Sequence, residues 1–372
     1  MVNESSYRSA SLGVDDKHSL QAERCGAEKH WENFMSYFSR FMASTAVALS
    51  VTIMSVGMAD AKNFKIAVGD SGGSSQEATG LGFVSALEEL SGGKHTATLF
   101  LNGQLGSEQD TVNEAAIGTL DMSILAINNV TPFSPTVGVF SLPYVILSLE
   151  DAEKLTQGPI GAELTENTIN DAGVRIIAWT YTGFRVLTNS KKPVKSVADL
   201  QGLVIRVPKN EIMIDTYKAW GISPTPMAWS ETFAGLQTGV VDGQDNPYTT
   251  INAMKFYEVQ KYVTNIRYIF SIEPLIISEQ VFQELSAEDQ QIILDAGKAA
   301  TAASAQFLRD KEAEIKQILL DEGMEISDPE NNEEEFIKLA TEAVWPKFYD
   351  SIGGIEKMNA VLAEIGRDPV SQ

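Results

Sequence analysis

Two arginines and an asparagine stand out between residues 181 and 247. Arg206 interrupts the apolar run Leu203-Val-Ile-Arg-Val-Pro208, Arg185 follows Tyr181-Thr-Gly-Phe184, and Asn246 sits in the Gly/Pro turn Asp242-Gly-Gln-Asp-Asn-Pro247. An arginine inside a short apolar strand is buried, and a buried charge without a partner costs several kcal/mol. Its planar fork matches a carboxylate through two parallel hydrogen bonds. Pro208 ends the strand and leaves the arginine near a loop mouth. The alternative is an internal salt bridge to an Asp or Glu, and it applies equally to Arg185. For Asn246 the choice lies between a turn residue before proline and an amide that meets a carboxylate or hydroxyl. Trp229 either stacks on a ligand or fills the core.

These residue types suit capture of a small anion. Catalytic sets are hard to assemble from the same chain. His95 is the only histidine beyond residue 61, and its place after Gly92-Gly93-Lys94 predicts an exposed turn. No histidine pair offers zinc ligands, and no Gly-x-Ser-x-Gly has a histidine partner. No cofactor is expected. The loop Gly69-Asp-Ser-Gly-Gly-Ser-Ser75 precedes a helix whose first N–H groups could hold an anion, but the Gly-Lys-Ser/Thr ending of a phosphate loop is missing. An enzyme using Asp70 or Asp245 as acid and base is the competing class.

The elements that must position these residues alternate between strand and helix, as in an α/β fold. Strands are predicted at 63–68, 96–101, 122–125, 174–181, 184–189, 204–207 and 240–242, with extended chain at 268–277. Helices are predicted at 76–90, 107–118, 211–220, 230–238 and 249–256, with a helical turn at 197–200. In the first of these, Leu81, Val84, Leu87 and Leu90 form the expected apolar stripe. A long helix runs from Ala287 to about Asp321, with Ser286 and Asp289 as its N-cap pair and Gly323 at its C-terminal cap. At 1.5 Å per residue it is about 50 Å long, enough to brace two domains.

The N-terminus gives an address. Phe41–Met58 is an apolar run behind Arg40 that ends in Ala59-Asp60-Ala61, the pattern of a cleaved secretory signal starting at the internal Met35. Residues 1–34 read as upstream sequence and hold Cys25, the one cysteine. From Lys62 onward there are 311 residues with 23 Lys/Arg against 43 Asp/Glu. That length suits two domains, and that charge argues against nucleic acid. With no cysteine left, disulfides and thiolate chemistry are excluded from this part.

The quoted segments, together with Gln104-Leu-Gly106, Gly118-Thr-Leu-Asp121, Ser141-Leu-Pro-Tyr144 and Ala234-Gly-Leu-Gln-Thr-Gly239, resemble the solute-binding subunit of TRAP (tripartite ATP-independent periplasmic) transporters from about Asn63 to Tyr349. The resemblance implies a periplasmic monomer of two α/β lobes with an interdomain cleft, crossing hinge strands and a bracing helix. Signal and upstream segment occupy 1–61. Lobe I comprises 62–182 plus 271–310, and lobe II 183–270 plus 311–372. It also implies a small carboxylate ligand salt-bridged by Arg206, with Arg185 and Asn246 as further carboxylate contacts. Trp229 packs on the ligand body and Asp70 lies at its far end. Asn128, Ser75 and Lys209 complete the expected contacts, and TRAP membrane subunits are the partner. Residues 203–260 are similar to the sialic-acid branch. The uncharged Ala126-Ile-Asn-Asn-Val130 departs from it and points to a smaller sugar acid, a uronate or aldonate. C4-dicarboxylates and 2-oxo or hydroxy acids stay open.

Overall fold

The computed structural model describes residues 61–370, so the expected signal segment lies outside the described residues. The chain runs through β1 (Asn63–Val68), α1 (Ser75–Leu90), β2 (Thr96–Phe100), α2 (Glu108–Ala116), β3 (Met122–Ile124), α3 (Leu149–Gln157), α4 (Pro159–Ala172), β4 (Val174–Ala178) and β5 (Tyr181–Asn189). It continues with β6 (Ile205–Val207), α5 (Glu211–Ala219), β7 (Thr225–Pro226), α6 (Trp229–Thr238), β8 (Gly243–Pro247), α7 (Tyr248–Ala253), β9 (Tyr262–Thr264), β10 (Phe270–Ile272) and β11 (Leu275–Ser278). The last elements are α8 (Glu279–Glu284), α9 (Ala287–Asp321), β12 (Glu325–Ser327), α10 (Glu334–Phe348) and α11 (Ile355–Glu364).

Two sheets result. The first has the order β2-β1-β3-β11-β4, and the second β12-β9-β5-β8-β6-β7 with β10 also on β5. The chain passes between them three times: by short links at Trp179-Thr180 and at Glu273-Pro274, and from β11 to β12 through α9. The two short links are bonded side by side: the Glu273 N–H donates to the Thr180 carbonyl at 2.9 Å, and the Thr180 hydroxyl donates to the Glu273 carbonyl. The helix α9 spans both halves. Ile293, Ala296 and Ala300 pack with the first sheet and α1, while Ile315 and Leu319 pack with Val186 of β5 and Ile251 of α7. Close approach is enforced at Gly297, where an added Cβ would lie 2.0 Å from the Ile177 carbonyl oxygen.

The expected cap at Ser286 forms, and serines cap two further helix starts. Ser74, Ser107 and Ser286 each accept a backbone N–H three residues on. Gly323, at φ +90°, follows the end of α9. Four expectations need correction. The buried face of α1 carries Gln76, Thr79, Gly80, Phe83 and Leu87, while Leu81 and Leu90 face solvent at 55% and 49% exposure. Leucines spaced by three drift around a helix of 3.6 residues per turn and cannot all face one side. Residues 240–242 are a turn, and the strand is β8, so Asn246 belongs to a buried strand and not to a turn. The pair α3 and α4, separated by Gly158 alone with Pro159 opening the second, had no counterpart in the pattern. His95 is fully buried: its Nε2 lies 2.9 Å from Asp289 Oδ1, and its Nδ1 accepts from the Lys62 backbone N–H.

Candidate functional site

Strand alternation explains how Arg206 reaches a cleft. Ile205 and Val207 turn into the core that holds Met213 and Trp220, so the residue between them points the other way. The guanidinium is 2% exposed. Its Nε and Nη2 donate to the Met227 carbonyl at 3.1 and 2.8 Å, and its Cζ lies 5.6 Å from the Trp229 ring centroid. Among the described residues no carboxylate forms an ion pair with it. Burial, and then repulsion from Arg185, lower its pKa to about 10.

Arg185 is different. Its Nε donates to Asp245 Oδ2 at 2.7 Å, and Tyr268 donates to the same oxygen at 2.6 Å. Burial opposes its charge, but the adjacent Asp245 outweighs it and raises the pKa above the usual arginine value. The internal-salt-bridge alternative therefore holds for Arg185, although the side chain still lines the cleft.

Arg206, Arg185, Asn246, Trp229, Asp70 and Asn128 border one small cavity of about 20 Å³. Asp70 follows β1 and Asn128 follows β3 of the first sheet, while the arginines and Asn246 lie on strands of the second. Bonds cross the cleft. The Thr250 hydroxyl donates to Asp70 Oδ2 at 3.1 Å, the Asn210 amide to the Asn128 carbonyl at 3.0 Å, and the Gln109 amide to the Lys209 carbonyl at 3.0 Å. Asn128 Nδ2 is buried in the cavity wall and has no partner among the described residues. The Trp229 indole N–H is aimed near Asp70 without completing a hydrogen bond. Gly69 permits this approach: a Cβ there would sit 3.0 Å from Trp229 and 3.1 Å from Glu108.

Two expected contacts fall outside this cavity. The Ser75 hydroxyl donates to the Tyr181 carbonyl at 2.9 Å, spending it on helix docking. Lys209 is exposed and borders a neighbouring hollow with Glu108, Asn129 and Trp229.

The model of the bacterial extracellular solute-binding proteins, family 7, matches residues 68–351. The chain belongs to this family, the solute receptors of TRAP transporters. A solute-binding protein of Roseobacter denitrificans is 37% identical over 242 residues, covering 65% of this receptor and 74% of that protein. Its structure with bound L-galactonate superposes at TM-score 0.76 and 31% identity, covering 82% and 98% of the two chains. A Polaromonas protein bound to D-erythronate gives 0.77 at 30% identity, covering 81% and 98%. A Rhodobacter sphaeroides protein, described as apo, open and partially disordered, gives 0.68 at 37% identity, covering 82% and 98%. The two-lobed fold and the receptor class expected from sequence are borne out; the family consists of binding proteins and not enzymes. Among the described residues no helix is long and apolar enough to cross a membrane.

The receptor's cavity also contains Gln76, Glu108, Asn129, Thr250 and Glu273, none singled out from sequence as a ligand contact except Asn129. Glu273 had a usable signal: it interrupts Phe270-Ser-Ile-Glu-Pro-Leu-Ile276 as Arg206 interrupts its strand. Glu108 and Gln76 had none, because acidic and amide residues in a first helical turn are common.

Proposed function

We propose that this receptor captures a small polyhydroxylated monocarboxylate, an aldonate or uronate, and delivers it to the membrane subunits of a TRAP transporter. The observation that carries the reading is Arg206: a buried guanidinium, held by one backbone carbonyl and roofed by Trp229, with no carboxylate counter-ion among the described residues. A ligand carboxylate meets that need with two parallel bonds. Asn246 is placed to assist, while Arg185, committed to Asp245, contributes positive potential at longer range. On the opposite wall Asp70, Asn128 and Asn129 offer acceptors and donors for hydroxyls. Relatives that bind D-erythronate and L-galactonate support this ligand class.

Higher superposition on those acid-bound structures than on the open apo protein of greater identity supports reading this conformation as closed. We assign lobe I to 62–182 plus 271–310 and lobe II to 183–270 plus 311–372, with the paired links at Thr180 and Glu273 as the hinge. The Met35–Ala61 signal would place the receptor in the periplasm.

A thermal-shift screen tests the reading. It would contain D-erythronate, L-galactonate, D-glucuronate, sialic acid, a C4-dicarboxylate and a 2-oxo acid, run beside a turnover assay. The expected outcome is stabilisation by an aldonate or uronate with no turnover. Stabilisation confined to the other acids, or conversion of any of them, would overturn it.

A further inference from the structure

The cavity holds more acid than its arginines balance. Asp70, Glu108 and Glu273 line it, and Asp245 stands behind with Arg185, against two guanidiniums. One glutamine ties two of the lining carboxyls to the backbone of the third residue. Gln76 Nε2 donates to Glu273 Oε2 at 2.8 Å and reaches Glu108 Oε1 at 3.5 Å, while its Oε1 accepts the Asp70 backbone N–H at 2.9 Å. All three carboxyls are buried. Two further features of the same cavity point this acidic wall towards a ligand: the unpartnered, buried Asn128 amide and, across the cleft, the Arg206 guanidinium.

We propose that the closed receptor binds its acidic ligand together with a proton, taken up by the Asp70–Glu108–Glu273 carboxyl cluster. The proposal rests on the reading that a carboxylate sits at Arg206. With that carboxylate present, five acidic groups share a desolvated space with two cations, and full ionisation leaves three negative charges uncompensated. A buried charge in that position protonates. The surroundings agree from every side. Glu108, on α2, faces Glu273 from the hinge, Asp70 from the end of β1 and Arg206 from β6, with Gln76, the Ala126 N–H and the Asn129 amide as donors. Glu273 also faces Arg185 and accepts from Thr182 and Ser271. Burial, then Glu273, push the Glu108 carboxyl up to about 7. Burial, then Glu273 and Glu108, raise Asp70 well above the carboxylate range, and burial also raises Glu273. The proton belongs to the coupled group and not to one residue. Opening the cleft returns water to the cluster and releases the proton, so capture is tied to closure.

The sign follows. Groups whose pKa is higher in the bound form favour binding at lower pH. Affinity falls as pH rises from about 5 to about 8, by up to about tenfold per unit where one full proton is exchanged. The ligand carboxyl itself stays ionised through this range. The test is isothermal titration calorimetry with D-erythronate and L-galactonate at pH 5.5, 6.5 and 7.5, in buffers of contrasting ionisation enthalpy. Wild-type receptor should take up close to one proton at pH 6.5. Glu108→Gln and Asp70→Asn, checked for folding by circular dichroism, should each reduce the uptake and flatten the pH profile. Binding with no proton exchange and a Kd constant across this range overturns the proposal and leaves the sugar-acid reading standing. Failure of both acids and of every acid in the thermal screen to bind at any pH overturns both.

Discussion

Arg185 and Asp245 form a buried ion pair at 2.7 Å, and this pair separates the roles of two arginines that look alike in sequence. Arg185 has its counter-ion inside the protein, which leaves Arg206, beside it, to pair directly with a charge from outside.

Arg206 variants should therefore lose ligand without losing the fold. Removing one partner of a desolvated pair typically costs about 3–5 kcal/mol, so Arg206→Ala should weaken binding at least about 100-fold. Arg206→Lys should also bind poorly, because an ammonium cannot reproduce the fork. Near-native affinity in a folded Arg206→Lys protein, measured by calorimetry, removes the two-bond arrangement.

Asp245→Asn should act on stability first. It leaves Arg185 buried beside a neutral amide, whose one oxygen can still accept from Arg185 and Tyr268 but carries no charge. The expected loss is about 3–5 kcal/mol, read as a lower urea midpoint at unchanged slope. A variant as stable as wild type would mean that Arg185 finds another partner.

Neutral forms of the ligand should fail. The lactone or methyl ester of an acid that binds keeps the hydroxyls but gives Arg206 no charge. Equal affinity for acid and ester in a competition titration would contradict the anchoring role of the arginine.

Acid should loosen the start of the long helix. Burial pushes the Asp289 carboxyl up, but hydrogen bonds from Lys94, Ser286 and His95 outweigh it and hold it at about 2. A depressed folded value contributes stability above the unfolded value near 4, lost as pH falls towards 2. Asp289→Asn should lower the melting temperature at pH 7 and shrink the difference from wild type between pH 4 and 2. A constant difference across that range would deny the linkage.

Much of the site was legible because its signals are local. Arg206 in an apolar strand, Ser286 before an amphipathic run and the length of α9 can each be read within a few residues. What stayed hidden depends on distant partners. Nothing near His95 announces Asp289, nearly two hundred residues away, so Gly92-Gly93 suggested an exposed turn. Nothing near Arg185 announces Asp245. The Gly and Pro around Asn246 signalled a turn, but flanking strands on both sides of β8 imposed extended backbone, a tertiary override of local preference. Glu108 enters the cavity only because α2 docks beside β3, which no short pattern encodes.

The position of β11 constrains how the chain acquires its shape. In the first sheet β11 lies between β3 and β4, so residues 122–178 cannot form a continuous sheet until residue 278 has been supplied. A nascent or truncated chain that stops earlier leaves β3 as an open edge and β4 without a partner strand. Pairing across such sequence separations is slow. The order of events is thus written into the topology: the first sheet, though it begins the chain, is completed only after every strand of the second except β12 has been supplied.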